Sequence, residues 1–244
     1  MIDWKYVEAL ETAQTQAASL LRALQPQLAE GMGMVELQEK LASLARVQNI
    51  TLAQPARFRL GESPSGIRPN FLRPTRLRLP SLLGVDVHVR VGEVVGDFAR
   101  PLRFGEEGRH WFYLQTARRI QQNWLDNLAQ CKTEANAYAL ARACAEKEGG
   151  RLLNAPHTLG HHVAVPYPVR PLEAQLRQRK EWLEHRLKGC LPLRRFSPPL
   201  DRGLWSLEPE YWLDRHHFRF EDVFTRTERG FERLGDPTRL DTVG

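Results

Sequence analysis

Alternation of apolar and polar residues is clearest in residues 85–97. Four valines alternate with polar residues there: Val85, Val87, Val89 and Val91. Gly92 then interrupts the pattern. Period-two alternation is typical of a strand with one buried face, and a glycine at its end allows a turn. The stretch therefore predicts a tight β-hairpin.

Two carboxylates flank the predicted turn. If the chain folds back at Gly92, Asp86 and Asp97 come out roughly opposite each other, and directly opposed residues have Cβ atoms about 4.5–5.5 Å apart. Carboxylates at that distance repel each other unless a cation lies between them. The hairpin therefore predicts a metal site. Taken alone, each aspartate also fits the alternative of an ordinary turn or surface carboxylate.

Helical spacing of apolar residues marks the N-terminal segment, residues 5–48. The first predicted helix has apolar residues at Val7, Leu10, Ala13, Ala17, Leu21 and Leu24. The second has them at Val35, Leu37, Leu41, Leu44 and Ala45. Turn-forming residues around Gly31 separate the two helices.

The later elements are predicted from the same periodicities. Residues 51–60 favour a strand, and residues 203–234 alternate as several strands do. Residues 110–130 and 134–148 predict two further helices, of which Gly149 and Gly150 end the second. A fifth, highly charged helix is predicted over residues 171–189.

Length and composition favour one domain of mixed α and β structure. A chain of 244 residues can bury a substantial core, so residues 1–244 are predicted to form a single domain, with helices in 1–50 and the sheet and metal site in 51–244. No apolar run approaches the roughly 20 residues of a membrane span, and the N-terminus does not resemble a signal peptide. The three cysteines lack metal-ligand spacing and favour a reducing compartment. We therefore expect a cytoplasmic protein without a membrane partner.

The net charge of +6 comes largely from two arginine-rich stretches, residues 68–78 and 177–195. Nucleic acid is one partner that such patches bind. Aromatic residues that could stack on bases do not alternate with the arginines. Solvated arginine-rich faces are therefore the favoured interpretation.

Oxygen and nitrogen donors recur in three later segments. The segments are Pro156-His157-Thr158-Leu159-Gly160-His161-His162, Leu207-Glu208-Pro209 and Arg219-Phe220-Glu221. Arg219 and Glu221 lie on one face of a predicted strand. Satisfied core or surface histidines and solvent-facing glutamates are the alternatives, although an unpaired carboxylate among apolar neighbours is costly.

In this order the segments resemble the pita-bread metallopeptidases, which include methionine aminopeptidase, prolidase, aminopeptidase P and creatinase. The stretch 97–100 (Asp-Phe-Ala-Arg) resembles the family's Asp-x-[Thr/Ser/Ala]-Arg, and 156–161 is similar to its Pro-His-Gly-Leu-Gly-His. The stretch 207–209 resembles Ile/Val-Glu-Pro. The stretches 219–222 and 227–230 resemble the closing Arg-x-Glu-Asp and Thr-x-x-Gly.

The resemblance implies the pita-bread fold, an α+β architecture with a curved, mostly antiparallel sheet covered by helices. It also implies two divalent ions, for which manganese, cobalt, iron and zinc all suit the donors. The implied metal ligands are Asp86, Asp97, His161, Glu208 and Glu221. Water activated by the ions would attack an amide carbonyl, with Glu208 as proton shuttle and His157 as a catalytic, substrate-facing histidine.

The implied substrate-binding residues are His157, His162, Arg219 and Arg68. Two departures from the family pattern concern the substrate-binding residues. Pro168 stands where the peptidases carry a further histidine, and no histidine precedes Asp86.

Three functions therefore stay open. An Xaa-Pro dipeptidase or aminopeptidase is the leading hypothesis, with a short peptide as substrate. An enzyme acting on a small non-peptide molecule, by creatinase-like C–N hydrolysis or as a lyase, could bind a carboxylate through Arg68, Arg73 or Arg76. The third is a binding module that has lost catalysis. Helix 171–189 would cap the site, build a homodimer contact or form a solvated surface.

Overall fold

The computed structural model describes residues 4–60, 76–78, 81–105, 108–154, 159–162, 203–227 and 230–235. The helices in these ranges are α1 (Trp4–Leu24), a 3-10 turn (Gln25–Gln27), α2 (Met34–Val47), α3 (Arg109–Leu128) and α4 (Glu134–Lys147). The first strands are β1 (Thr51–Leu52), β2 (Arg57–Leu60), β3 (Ser81–Val91), β4 (Val94–Phe104) and β5 (Arg151–Leu152). The later strands are β6 (Gly160–His162), β7 (Gly203–Leu207), β8 (Glu210–Leu213), β9 (His216–Arg219), β10 (Asp222–Thr227) and β11 (Gly230–Arg233).

The two predicted N-terminal helices are confirmed, with one error about their buried faces. In α2 the buried residues are Leu37, Leu41 and Ala45, which recur every four residues. Val35 was counted among the apolar residues whose spacing predicted the helix, but it is 73% exposed. It lies off the stripe that those three residues form, so its side chain projects on another side of the helix.

The predicted hairpin is confirmed as β3 and β4, but the predicted register is wrong. Gly92 takes a positive φ of 58°, and residues 92–93 form a two-residue loop that pairs Val91 with Val94. Pairing of Asp86 with Asp97 would place Val91 and Gly92 in a two-residue loop, whereas the structure places Gly92, with its positive φ, at the first loop position and Glu93 at the second. Asp86 therefore lies opposite Ala99.

Two other predicted elements need comment. The strand predicted over 51–60 is two short strands, β1 and β2, because the chain bends around Pro55. The helices predicted at 110–130 and 134–148 are confirmed as α3 and α4. Thr133 caps α4 by accepting a hydrogen bond from the Asn136 backbone N–H. The predicted helix 171–189 lies outside the described residues.

All strand pairs among the described residues are antiparallel, which together with the helices confirms the α+β class. They form three hydrogen-bonded sheets where the sequence predicted one. In the first, β3 pairs with β4 on one side and with β1 and β2 on the other. The second has the order β11-β10-β7-β6, and the third β5-β8-β9. A single bridge between Ala99 and Glu221 links β4 to the turn before β10.

Helix α1 packs on the β3–β4 hairpin and fixes its position. The buried face of β3 contributes Val85, Val87 and Val89 to a core shared with α1 and α2. Gly96 lets the helix approach closely, since a Cβ at this position would lie 2.6 Å from the Cβ of Ala13. In the described part of the chain, no helix is both long and apolar enough to span a membrane.

Candidate metal centre

The hairpin face opposite the valines carries three side chains suited to metal binding. The register pairs His88 with Asp97, and Asp86 lies two residues from His88 on the same face. His88 Nε2 lies 2.6 Å from Asp97 Oδ1, and His88 Nδ1 lies 3.6 Å from Asp86 Oδ1. One donor atom from each of the three side chains falls within 4.8 Å of the others. The hairpin thus presents a compact group of two carboxylates and an imidazole.

Helix α1 contributes to this geometry. The fully buried Gln14 donates a hydrogen bond from its side-chain amide to the Asp97 carbonyl oxygen. Together with the close approach at Gly96, this bond ties the backbone of β4 to the helix beside the carboxylate. The position of Asp97 is therefore set by packing as well as by strand pairing.

Glu208 and Glu221 come from the C-terminal sheets. Glu221 is fully buried in the turn between β9 and β10, where its backbone exchanges hydrogen bonds with Ala99. Ser206 donates from its hydroxyl to Glu221 Oε1 at 3.0 Å. Glu208 follows β7, and its carbonyl accepts a hydrogen bond from the Asn154 side chain at 2.9 Å. Because Ala99 lies opposite Asp86, the bridge at Glu221 brings the two halves of the site together.

Arg219 connects the two halves. Its Nη2 lies 2.6 Å from Glu208 Oε2 and 2.8 Å from Glu221 Oε2. Its Nη1 lies 3.6 Å from Asp86 Oδ2. One guanidinium therefore faces three of the predicted ligand carboxylates, which come from separate parts of the sequence.

The concentration of negative charge perturbs the carboxyl groups. Burial raises the pKa of Asp86 above its usual value, and Asp97 adds to this effect while Arg219 opposes it. Burial also raises the pKa of Glu221 well above its usual value, with further contributions from Asp97 and Glu208. A divalent cation beside them would lower both pKa values, because a nearby positive charge stabilises the ionised form.

A second charged group lies beside the site. Burial would raise the pKa of Glu210, but the hydrogen bond and charge of His217 outweigh it and lower that pKa to about 2. Arg59 contacts the same carboxylate at 3.2 Å. Glu210 therefore has His217 and Arg59 as partners in addition to Arg219, which it shares with Glu221.

The donor set fits divalent metal. Asp86 is 6% exposed, and within the described residues neither of its carboxylate oxygens accepts a hydrogen bond. Such buried acceptors are costly unless a cation or donor meets them. Carboxylates with imidazole are ligands for zinc, iron, cobalt and manganese.

The histidine segment is described only in part. Gly160 pairs with Leu207 and His161 with Ser206, whose hydroxyl contacts Glu221. A Cβ at Gly160 would lie 2.0 Å from the Ser206 carbonyl oxygen, so this strand pairing requires glycine. His162 pairs with Trp205. These facts place the backbone of β6 next to Glu221, and the predicted roles of both histidines stay predictions.

Other predicted residues lie elsewhere or outside the description. His157, Arg68 and Arg73 fall outside the described residues. Arg76 donates a hydrogen bond to the Gly31 carbonyl oxygen at 2.8 Å and is exposed. Its role in binding a substrate carboxylate was one of the open alternatives and stays a prediction.

Sequence reasoning missed two features of the site. It did not assign His88, although the alternation that places valines on one face places His88 with Asp86 on the other. It also did not pair Arg100 with Asp222, which form a buried ion pair. Arg100 donates to the Glu221 carbonyl oxygen at 2.9 Å as well, and so fixes the turn that carries Glu221.

Comparison with known proteins gives structural neighbours only. No protein-family model matches the chain, and no curated protein matches it. An X-Pro aminopeptidase from Thermotoga maritima is similar in structure with a TM-score of 0.69 at 15% identity, over 98% of this chain and 62% of that one. Prolidase from Pyrococcus furiosus is similar with a TM-score of 0.64 at 17% identity, over 94% of this chain and 63% of the prolidase. A methionine aminopeptidase from Thermotoga maritima is similar with a TM-score of 0.66 at 14% identity, over 96% of this chain and 97% of the aminopeptidase.

The neighbours differ in how much of them this chain covers. It spans less than two thirds of the X-Pro aminopeptidase and of the prolidase, but nearly all of the methionine aminopeptidase. Identities of this size establish the architecture alone. The chain therefore has the pita-bread fold.

Proposed function

We propose that the protein is a metal-dependent hydrolase of the Xaa-Pro dipeptidase or aminopeptidase type. Two divalent ions would be held by Asp86, Asp97, His161, Glu208 and Glu221. The solved structures that the chain resembles are named as peptidases of these kinds. A cytoplasmic location and a homodimer remain further predictions.

One observation carries the proposal. The carboxylates of Asp86, Glu208 and Glu221 all contact the guanidinium of Arg219, although more than 120 residues separate the first from the others. A single guanidinium facing three carboxylates leaves an excess of negative charge in a largely buried place. Divalent cations are the common means by which proteins balance such a cluster.

Bound divalent ions would supply Lewis acidity and a water of lowered pKa. The chain's own residues would position the substrate and move protons. Glu208 is better placed than Glu221 for proton transfer, because its side chain is 23% exposed whereas that of Glu221 is fully buried. A proton shuttle must reach both water and substrate. Arg219 would hold Glu208 in place through the contact at 2.6 Å.

Substrate recognition would fall to residues around the mouth of the site. His157, His162, Arg68 and Arg219 are our candidates from the sequence. Arg57 is 3.9 Å from Asp86 and its side chain is 59% exposed. A cation in that position suits the carboxylate of a dipeptide or of another small acid.

A binding module without catalysis is the second candidate. Arg219 favours it, since the guanidinium contacts the same carboxylates that would hold the ions and partly neutralises them. Metal content separates the two candidates. A hydrolase should retain divalent metal after mild purification, whereas a binding module should be free of metal and indifferent to EDTA.

Peptide hydrolysis tests the proposal directly. We expect protein reconstituted with Mn²⁺ or Co²⁺ to cleave Xaa-Pro dipeptides, Xaa-Pro-Xaa peptides or Met-Xaa peptides. The free amino acid that is released measures the cleavage. Glu208→Gln should lower kcat by at least about 100-fold, the lower range for loss of general acid–base catalysis. Glu146→Gln, on the exposed face of α4, is the matched control and should keep full activity. A fully metallated protein that cleaves none of these peptides would contradict the peptidase assignment.

A further inference from the structure

We propose that His88 is a metal ligand, so that the β3–β4 hairpin binds one divalent ion through three donors of its own: Asp86, His88 and Asp97. The proposal deepens the function given above and rests on its metal centre. It adds a ligand to the five that the sequence indicated. It also makes the binding of the ion at the hairpin independent of Glu208, Glu221 and His161.

The three side chains have the spacing of a chelating group. One donor atom of each lies within 4.8 Å of the other two. Metal–ligand distances for nitrogen and oxygen donors are about 2.0–2.2 Å, so two ligands of the same ion are separated by at most about 4.4 Å. Small rotations of the side chains are enough to reach that separation. The backbone can stay as it is, because all three residues lie on paired strands.

Three buried atoms of this group have no hydrogen bond among the described residues, although Arg219 lies 3.6 Å and Arg57 3.9 Å from Asp86 Oδ2. Asp86 is 6% exposed and His88 is 9% exposed. Within the described residues, no hydrogen bond involves either carboxylate oxygen of Asp86 or Nδ1 of His88. The separation of 3.6 Å between His88 Nδ1 and Asp86 Oδ1 is too long for one. A buried imidazole nitrogen and a buried carboxylate oxygen 3.6 Å apart, neither of which has a hydrogen bond, can share a cation.

A proton on His88 is the competing explanation. An imidazolium would neutralise one aspartate, and Nε2 lies close enough to Asp97 for that contact. It would leave Asp86 without a hydrogen bond from Nδ1 at 3.6 Å. An ion bound to one nitrogen of the ring would lie within reach of both carboxylates, because one donor atom of each side chain falls within 4.8 Å of the others, so the geometry points to metal.

An added imidazole has a consequence for metal choice. Imidazole suits zinc, iron, nickel and copper, whereas sites of carboxylate alone suit magnesium, calcium and manganese. A hairpin site that includes His88 should therefore prefer Zn²⁺ over Mn²⁺. This preference should follow residue 88 when it is substituted.

Metal affinity of matched variants is the first test. We would measure Zn²⁺ and Mn²⁺ binding by competition with a chelator for wild type, His88→Phe and His110→Phe. His110 lies in α3 and contacts the His216 ring, so its replacement by phenylalanine keeps an aromatic ring at a residue outside the proposed ligand set. We expect His88→Phe to weaken the tightest Zn²⁺ site by roughly 10-fold or more, and Mn²⁺ by less. Unchanged Zn²⁺ affinity in a folded His88→Phe protein would overturn the proposal.

The second test uses the wild-type protein, so its result does not depend on whether the His88→Phe variant folds. Histidine labelled with ¹⁵N allows the imidazole nitrogens of residue 88 to be assigned and followed as one equivalent of Zn²⁺ is added. We expect one of its nitrogens to shift to the range of a coordinated imidazole. A His88 resonance that responds to pH but not to Zn²⁺ would show that a proton occupies the position, and would overturn the proposal.

These readouts are independent of peptide hydrolysis. If His88 coordinates Zn²⁺ but no peptide is cleaved, the proposed function fails and the ligand assignment stands. If peptides are cleaved and His88 does not sense Zn²⁺, the ligand assignment alone fails.

Discussion

Glu221 and Asp222 are neighbours in sequence and both are fully buried, yet the pKa values of their carboxyl groups are shifted in opposite directions. Burial would raise the pKa of Asp222, but the charges of Arg100 and Arg233 outweigh it and hold that pKa below its usual value. The pKa of Glu221 is raised by burial, and the negative charges of Asp97 and Glu208 raise it further.

The difference lies in the partners that each carboxylate meets. Asp222 contacts two guanidinium groups, of which Arg100 is only 3% exposed and Arg233 approaches to 3.1 Å. Glu221 shares Arg219 with Glu208 and Asp86. Because strand residues alternate in direction, consecutive residues face different surroundings. Asp222 thus belongs to a structural ion pair, and Glu221 belongs to a site where one guanidinium faces three carboxylates.

The largest effect should come from breaking the structural pair. Asp222→Asn leaves Arg100 as a buried cation without a charged partner, and we expect a loss of about 3–5 kcal/mol in the free energy of unfolding. Urea denaturation monitored by circular dichroism measures it. The control is Asp214→Asn at an exposed turn with positive φ, which asparagine tolerates, and it should change stability by less than about 0.5 kcal/mol. Equal losses in the two variants would contradict the assignment of Asp222 as structural.

The second largest effect should be the stabilisation by bound metal, which we expect to depend on Glu221. A ligand that binds the folded state alone stabilises it by about 2.7 kcal/mol at 100 times its Kd. We expect Mn²⁺ to raise the Tm of wild type by several degrees in a thermal scan. The rise should be clearly smaller for Glu221→Gln, because a ligand has been removed. A rise of the same size in both proteins would place the ion away from Glu221.

Per pH unit, the pH dependence should be the smallest effect, and it has a definite sign. The folded-state pKa of Glu221 is raised above the ordinary value of 4.5, so above that pH the folded state holds more protons than the unfolded state. The metal-free protein should lose up to about 1.4 kcal/mol of unfolding free energy per pH unit as pH rises toward the folded value.

Urea unfolding in EDTA between pH 5 and pH 8 measures this slope, and comparison with Glu221→Gln isolates the contribution of Glu221. Asp222 has the opposite sign, because its folded-state pKa is lowered from 3.8. Its contribution is present above that value and is lost as pH falls through the lowered pKa. It should not affect the slope between pH 5 and pH 8. Parallel curves for wild type and Glu221→Gln would contradict the raised pKa.

Periodicity was sufficient to predict the helices and the hairpin, because each depends on residues close in sequence. The register depended on the loop between the strands. Counting two residues for it, Gly92 and Glu93, would have paired His88 with Asp97. The signal for His88 was therefore present in the sequence. What was missing was the choice of Gly92 rather than Val91 as the first loop residue, since a loop of Val91 and Gly92 pairs Asp86 with Asp97.

The ion pairs could not be predicted in the same way. Arg219 and Glu221 share a strand face, which the sequence indicated, but the reach of Arg219 to Asp86 depends on the contact between two sheets. Arg100 and Asp222 are 122 residues apart, and no local pattern joins them. Residue type and order suggested which side chains carry chemistry, whereas partners of opposite charge were fixed by tertiary packing.

The bridge between Ala99 and Glu221 has a consequence for how the centre is assembled. Asp86, His88 and Asp97 are brought together within a single hairpin, whose closure requires little loss of chain entropy. The remaining carboxylates meet them only after a loop of more than 100 residues has closed through two backbone hydrogen bonds. A local opening at that seam would separate Glu221 from the hairpin without breaking a ladder inside either sheet. Protection of the Ala99 and Glu221 amides from hydrogen exchange would report how often this happens.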